Sequence, residues 1–166
     1  MQYKCILIYL ILFSSCLKEN KIIVKQGFEN PNDRWNNVNI IKGDSHGGKF
    51  ISRTDAIQPF SACFTKNIRT ISEREINRID IVSWVKRSAP LATGYFVLSI
   101  DRGRDQLYWQ GVPTPTGDFF ENQWKRMYAS YDIPDSLRKD VNIRVYFWNT
   151  SKYNIDADDF EIRLYY

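Results

Sequence analysis

Three segments of the 166-residue chain place tryptophan, tyrosine and arginine at alternate positions. Trp84 lies in Asp80–Lys86, Trp124, Arg126 and Tyr128 lie in Trp124–Ile133, and Arg144, Tyr146 and Trp148 lie in Val141–Trp148. Flat rings offer apolar stacking surface, and guanidinium groups offer several hydrogen bonds in a fixed fork; together they suit a ligand with apolar faces and many polar edges. The residues for bond-making chemistry are sparse. Cys63 sits in Pro59-Phe60-Ser61-Ala62-Cys63-Phe64, where a lone cysteine reads as a small buried hydrophobe. Its only potential histidine base, His46, is in a Gly-rich turn distant in sequence. A glycosidase needs two carboxylates across a cleft, and the aromatic segments carry only Asp80. Tyr146 beside Arg144 is the nearest approach to a lyase base with a neutralising partner. The residues point to binding, not to an enzyme.

A second chemistry is covalent. Lys4 followed by the apolar run Ile6–Phe13 reads as a secretory signal, too short to span a bilayer. Leu12-Phe13-Ser14-Ser15-Cys16 resembles a lipobox, with Phe13 in place of the usual Leu or Val. This assigns residues 1–15 to a cleaved signal, lipidation to Cys16, 16–21 to a polar tether and 22–166 to one domain. Leu17-Lys18-Glu19 resembles the surface-export signal of Bacteroidetes lipoproteins, so the expected location is the outer membrane, exposed at the cell surface. Loss of Lys4 leaves 22 basic against 19 acidic residues, with no basic run, which argues against nucleic acid as a partner. Cys5 leaves with the signal and Cys16 carries lipid, so there is no disulfide framework.

Short β-branched and aromatic segments separated by Asn-Pro, Gly-rich and Pro-Asp turns predict an all-β, two-sheet antiparallel sandwich. Strands are expected near 22–29, 37–42, 48–54, 59–65, 77–87, 93–101, 106–112, 122–131, 141–149 and 157–165. Ser72-Glu73-Arg74-Glu75 has the pattern of a helix start, but Ile79–Val85 alternates as a strand, so one helical turn followed by a strand is expected. Period-2 alternation sends Ile81, Val85, Met127, Ala129, Tyr131, Ile133, Ile143, Val145 and Phe147 into the core, with Phe160 and Ile162. It sends Trp84, Arg126, Tyr128, Arg144, Tyr146 and Trp148 to the face away from it.

In order, Gly27-Phe28-Glu29-Asn30 with Trp35, Asp44-Ser45-His46-Gly47-Gly48-Lys49, Ile81–Lys86, Gln123-Trp124 to Ile133-Pro134, and Ala157–Ile162 resemble the jelly-roll carbohydrate-binding modules of the galactose-binding-like, cellulose- and xylan-binding class. The resemblance spans the mature domain and implies non-catalytic binding of polysaccharide. Sugar C–H faces would stack on the six outward residues just named, and the two arginines lean the ligand towards acidic or oxygen-rich glycans. The same aromatics could instead extend the core, or form part of a structural or protein-interaction module of an envelope complex. The family also implies a structural calcium, held here by Glu29, Asp44, Asp158 and carbonyls at Gly47 and Lys49. Parity puts Asp158 on the core-facing side with Phe160, where a carboxylate needs a metal, an arginine or a capped turn.

Overall fold

The computed structural model describes residues 20–32, 35, 36, 39–114 and 121–166. The signal, Cys16 and most of the tether lie outside them. Ten strands follow one another: β1 (Lys21–Gln26), β2 (Ile40–Lys42), β3 (Phe50–Thr54), β4 (Phe64–Asn67), β5 (Arg78–Arg87), β6 (Gly94–Arg102), β7 (Asp105–Pro113), β8 (Lys125–Asp132), β9 (Asn142–Asn149) and β10 (Ile155–Tyr165). Each overlaps an expected strand, but the one expected over 59–65 is displaced to Phe64–Asn67, leaving Phe60 with an isolated bridge to Trp148. Before β5, Ser72 Oγ accepts the Arg74 amide at 3.0 Å, but the chain forms no α-helix there; a single 3-10 turn at Ile68–Thr70 precedes it.

The strands form an antiparallel β-sandwich. One sheet runs β2-β3-β10-β5-β8, with β1 also paired to β10; the other runs β4-β9-β6-β7. Strand β10 is the spine of the first sheet. Its start pairs with β3 and its end with β1 along one edge, while β5 lines the other edge. Alternation then fills the space between the sheets. Ile81, Val85, Ile143, Val145, Phe147 and Ile162 are fully buried, and Met127, Ala129, Tyr131, Ile133 and Phe160 nearly so. Trp35 closes one flank by packing its ring on Phe28, Phe64 and Phe160.

The parity of β10 changes once. Asp158 pairs with Trp84 and Glu161 with Val82, so three steps on β10 match two on β5. The extra residue is a bulge, with Asp159 at φ 48°. It returns Phe160 and Ile162 to the core but turns Asp158 to the outer side of the sheet. Asp158 is therefore buried, as expected, but beneath the 43–49 turn and not in the core.

Candidate functional site

Two outer faces divide the six outward residues. Trp84 on β5 and Arg126 and Tyr128 on β8 belong to the first sheet; Arg144, Tyr146 and Trp148 on β9 belong to the second. They do not form one surface. A single strand's period assigns a side of its sheet but not which sheet, and here the two sets point in opposite directions.

On the first sheet the aromatics are tied down. The Trp84 ring stacks on His46, with centroids 3.8 Å apart and 12° between planes, and His46 also meets Trp124 edge-on. His46 Nδ1 lies 2.7 Å from Asp159 Oδ2. Beside them Lys86, nearly buried although outward, sits over the Trp124 ring and donates to the Asp44 carbonyl and carboxylate. Trp84 thus holds the 43–49 turn onto the sheet, while Arg126 and Tyr128 stand exposed beyond it.

That turn assembles four of the five residues expected at the metal. Asp158 Oδ2 accepts the His46 and Gly47 amides, both at 3.0 Å, and Oδ1 accepts the Asp159 amide at 2.7 Å. Glu29 Oε1 accepts the Lys49 and Phe50 amides at 2.7 and 2.9 Å. Asp44 stands apart, its carboxylate paired with Lys86. Glycine is needed at 48, because φ is 83° and a Cβ would lie 2.3 Å from the Glu29 carboxyl carbon. Burial pushes the Asp158 carboxyl up to about 6, against the pull of its amide donors. No lysine or arginine among the described residues pairs with it. A cation thus fits the charge. The donors are less ready: among the described residues no three His, Cys, Asp or Glu side chains converge on one point. The Gly48 and Lys49 carbonyls already accept Ser45 Oγ and the Gly43 amide, leaving each a second lone pair to offer.

The second sheet carries a continuous aromatic surface. Trp148 packs against Phe60 at 6.3 Å, Tyr95 at 5.8 Å and Trp109 at 6.0 Å, while Phe60 meets Tyr146 at 5.7 Å. Trp109 Nε1 donates to the Tyr146 hydroxyl at 3.3 Å. Register explains the gathering: Tyr95 lies opposite Trp148 and Pro113, and Trp109 opposite Ser99. Gly111 leaves the room, since a Cβ there would press on Trp109 and Tyr95 at 3.0 and 3.1 Å. Phe60, at 49 %, and Trp109, at 42 %, are among the exposed large apolar residues, although solvated positions are costly for both.

Continuing from the rings is an open groove of ≈ 480 Å³, lined by Gln58, Phe60, Cys63, Thr65, Gln106, Arg144 and Tyr146 among others. Burial pushes the Cys63 thiol up, so it is a half-buried, protonated wall and not a nucleophile. Arg144 closes the far end. Its Nε lies 2.6 Å from Asp101 Oδ2 and its Nη2 2.9 Å from Oδ1, a two-point pair that holds the guanidinium protonated. Phe60, Tyr95, Trp109 and Asp101 were not singled out by sequence. Trp109 alternates with Gly111 in β7, a usable signal, but Leu107-Tyr108-Trp109 is apolar at every position and hides the period.

No protein-family model and no curated protein matches the sequence. Solved structures do. The tandem CBM22-1–CBM22-2 domain of Paenibacillus barcinonensis Xyn10C aligns at 18 % identity and TM-score 0.56, over 89 % of this chain and 47 % of that one. The CBM22-1–GH10 modules of Clostridium thermocellum endo-1,4-β-D-xylanase 10B align at 14 % identity and TM-score 0.53, over 86 % of this chain and 26 % of that one. Such identities establish a shared fold and leave function to the residues: this chain has the β-sandwich fold of those modules.

Proposed function

We propose that the protein binds polysaccharide without cleaving it, laying a glycan segment along Phe60, Trp109, Tyr146 and Trp148 towards Arg144. The observation that carries this reading is the aromatic cluster on the outer face of the second sheet, separate from a core that is complete without it. Large rings held in mutual contact at a solvated face have no folding role that the core does not already fill. They are preorganised, so a sugar ring can stack without first ordering them. The Clostridium thermocellum neighbour is a complex with xylohexaose, which supports the same ligand class here. Among the described residues neither groove lining on this face includes a carboxylate, so they supply no glycosidase-type carboxylate pair there. Affinity electrophoresis against soluble plant and algal polysaccharides tests the reading. Retardation by at least one is expected; a wild-type chain that ignores all of them would favour a protein-interaction module instead.

Calcium belongs to the proposal on a different observation, the fully buried Asp158 without a cationic side chain beside it. Glu29, Asp158 and turn carbonyls near Gly47 and Lys49 would hold the ion; it would pin the 43–49 turn to β10. Binding only to the folded chain, calcium at a hundredfold its Kd should add about 2.7 kcal/mol, or roughly 5–10 °C in melting temperature. Superimposable melting curves in EDTA and in millimolar calcium would leave the amide cage as the whole of the site.

The lipoprotein reading is carried by Cys16 and its preceding segment. Strand β1 begins at Lys21, directly at the end of the expected tether. Acylated Cys16 would anchor the domain to the outer membrane, and a Cys16→Ala chain should take up no radioactive palmitate. Unchanged labelling would place the lipid elsewhere.

A further inference from the structure

We infer that Asp101 sets the charge preference of the groove, cancelling Arg144 so that this face takes neutral rather than acidic polysaccharide. The inference rests on the carbohydrate-binding reading above, and adds to it a ligand class and a specificity-determining residue. It also reverses the lean towards acidic glycans that two outward arginines suggest. Arg126, the second of them, lies on the opposite sheet.

Arg144 and Asp101 face each other across β9 and β6, where Ser99 is opposite Arg144 and Asp101 opposite Asn142. Both carboxylate oxygens engage the guanidinium, at 2.6 and 2.9 Å, which fixes its plane as well as its charge. Asp101 is 7 % exposed, and Ser99 Oγ donates to it at 3.4 Å. Among the described residues lining the groove, Arg144 alone is charged. Arg102, Arg104 and Asp105 are exposed at the β6–β7 hairpin and do not line it.

A glycan carboxylate entering here meets a cation that is already paired. To take the guanidinium it must displace Asp101 and strand a nearly buried carboxylate, a costly exchange. Neighbouring hydroxyls face no such cost. The unused Arg144 N–H groups and the remaining Asp101 lone pairs put donors beside acceptors, the pattern that hydroxyl groups satisfy from both sides.

The test uses polymers that share a backbone and differ in charge: hydroxyethyl cellulose against carboxymethyl cellulose, and arabinoxylan against glucuronoxylan. The wild-type domain should be retarded at least as well by the neutral member of a pair. That retardation should persist at about 1 M salt, where the Debye length falls to about 3 Å. Asp101→Asn keeps the shape and frees the guanidinium, so retardation by the acidic member should rise roughly tenfold at low salt. High salt should abolish the gain, and adding Arg144→Gln should remove it. A wild-type chain that prefers the acidic polymers in a salt-sensitive way overturns the inference, whether or not the variant folds. So does a folded Asp101→Asn chain, verified by its melting curve, that gains nothing. If the wild type ignores all four polymers and every other polysaccharide offered, carbohydrate binding itself fails, an outcome distinct from either of these.

Discussion

Trp148→Ala is expected to weaken polysaccharide binding by thirtyfold to a thousandfold, the equivalent of about 2–4 kcal/mol for a central aromatic contact. The same change should cost about 1 kcal/mol of stability, or only a few degrees of melting temperature. Trp148 touches Phe60, Tyr95 and Trp109 at once, so its removal takes away one stacking surface and loosens three others. Trp84→Ala is expected to show the reverse pattern, because that ring carries the 43–49 turn and faces away from the groove. Its loss should destabilise the domain by about 2 kcal/mol and leave affinity unchanged. Fluorescence-detected melting and affinity electrophoresis on the two variants measure both quantities. Loss of binding in Trp84→Ala alone would move the site to the first sheet.

The neighbouring residue should behave in the opposite manner. Phe147 is fully buried, packs edge-on against Phe96 at 5.4 Å, and closes so tightly over Gly94 that a Cβ there would lie 2.4 Å from its ring. Phe147→Ala removes a large core side chain that its close-packed neighbours can only partly replace, at about 3–5 kcal/mol and roughly 10 °C in melting temperature. Whatever fraction remains folded should still bind. One step along β9 thus separates a stability residue from a binding residue, because successive side chains of a strand take opposite sides. If Trp148→Ala instead unfolded the chain while Phe147→Ala was tolerated, the register of β9 would be reversed.

This alternation is why so much of the fold was readable from sequence. Ile143, Val145 and Phe147 announce the core side of β9, and Met127, Ala129 and Tyr131 that of β8. What alternation cannot convey is pairing between distant strands. Nothing local states that β5 and β8 share a sheet with β10 while β9 lies in the other, so residues on two opposite faces looked like one platform. The bulge at Asp159 is hidden for a similar reason: one extra residue flips parity, and only the partner strand reveals it. Asp158 was correctly expected to be buried, but on the wrong side. The cancelled charge of Arg144 is also non-local, since its partner Asp101 lies 43 positions earlier. Phe60 falls in a stretch that reads as a strand, 59–65, but β4 begins only at Phe64, and Phe60 meets β9 through an isolated bridge to Trp148 that no local pattern announces.

The most direct measurement follows the five indole N–H signals of the domain, from Trp35, Trp84, Trp109, Trp124 and Trp148, by nitrogen-15 correlation spectroscopy. Titration with a neutral oligosaccharide such as xylohexaose or cellohexaose should shift Trp109 and Trp148, which share the aromatic face, and leave the other three in place. Shifts confined to Trp84 and Trp124, with Trp109 and Trp148 unmoved, would contradict a glycan site on the second sheet.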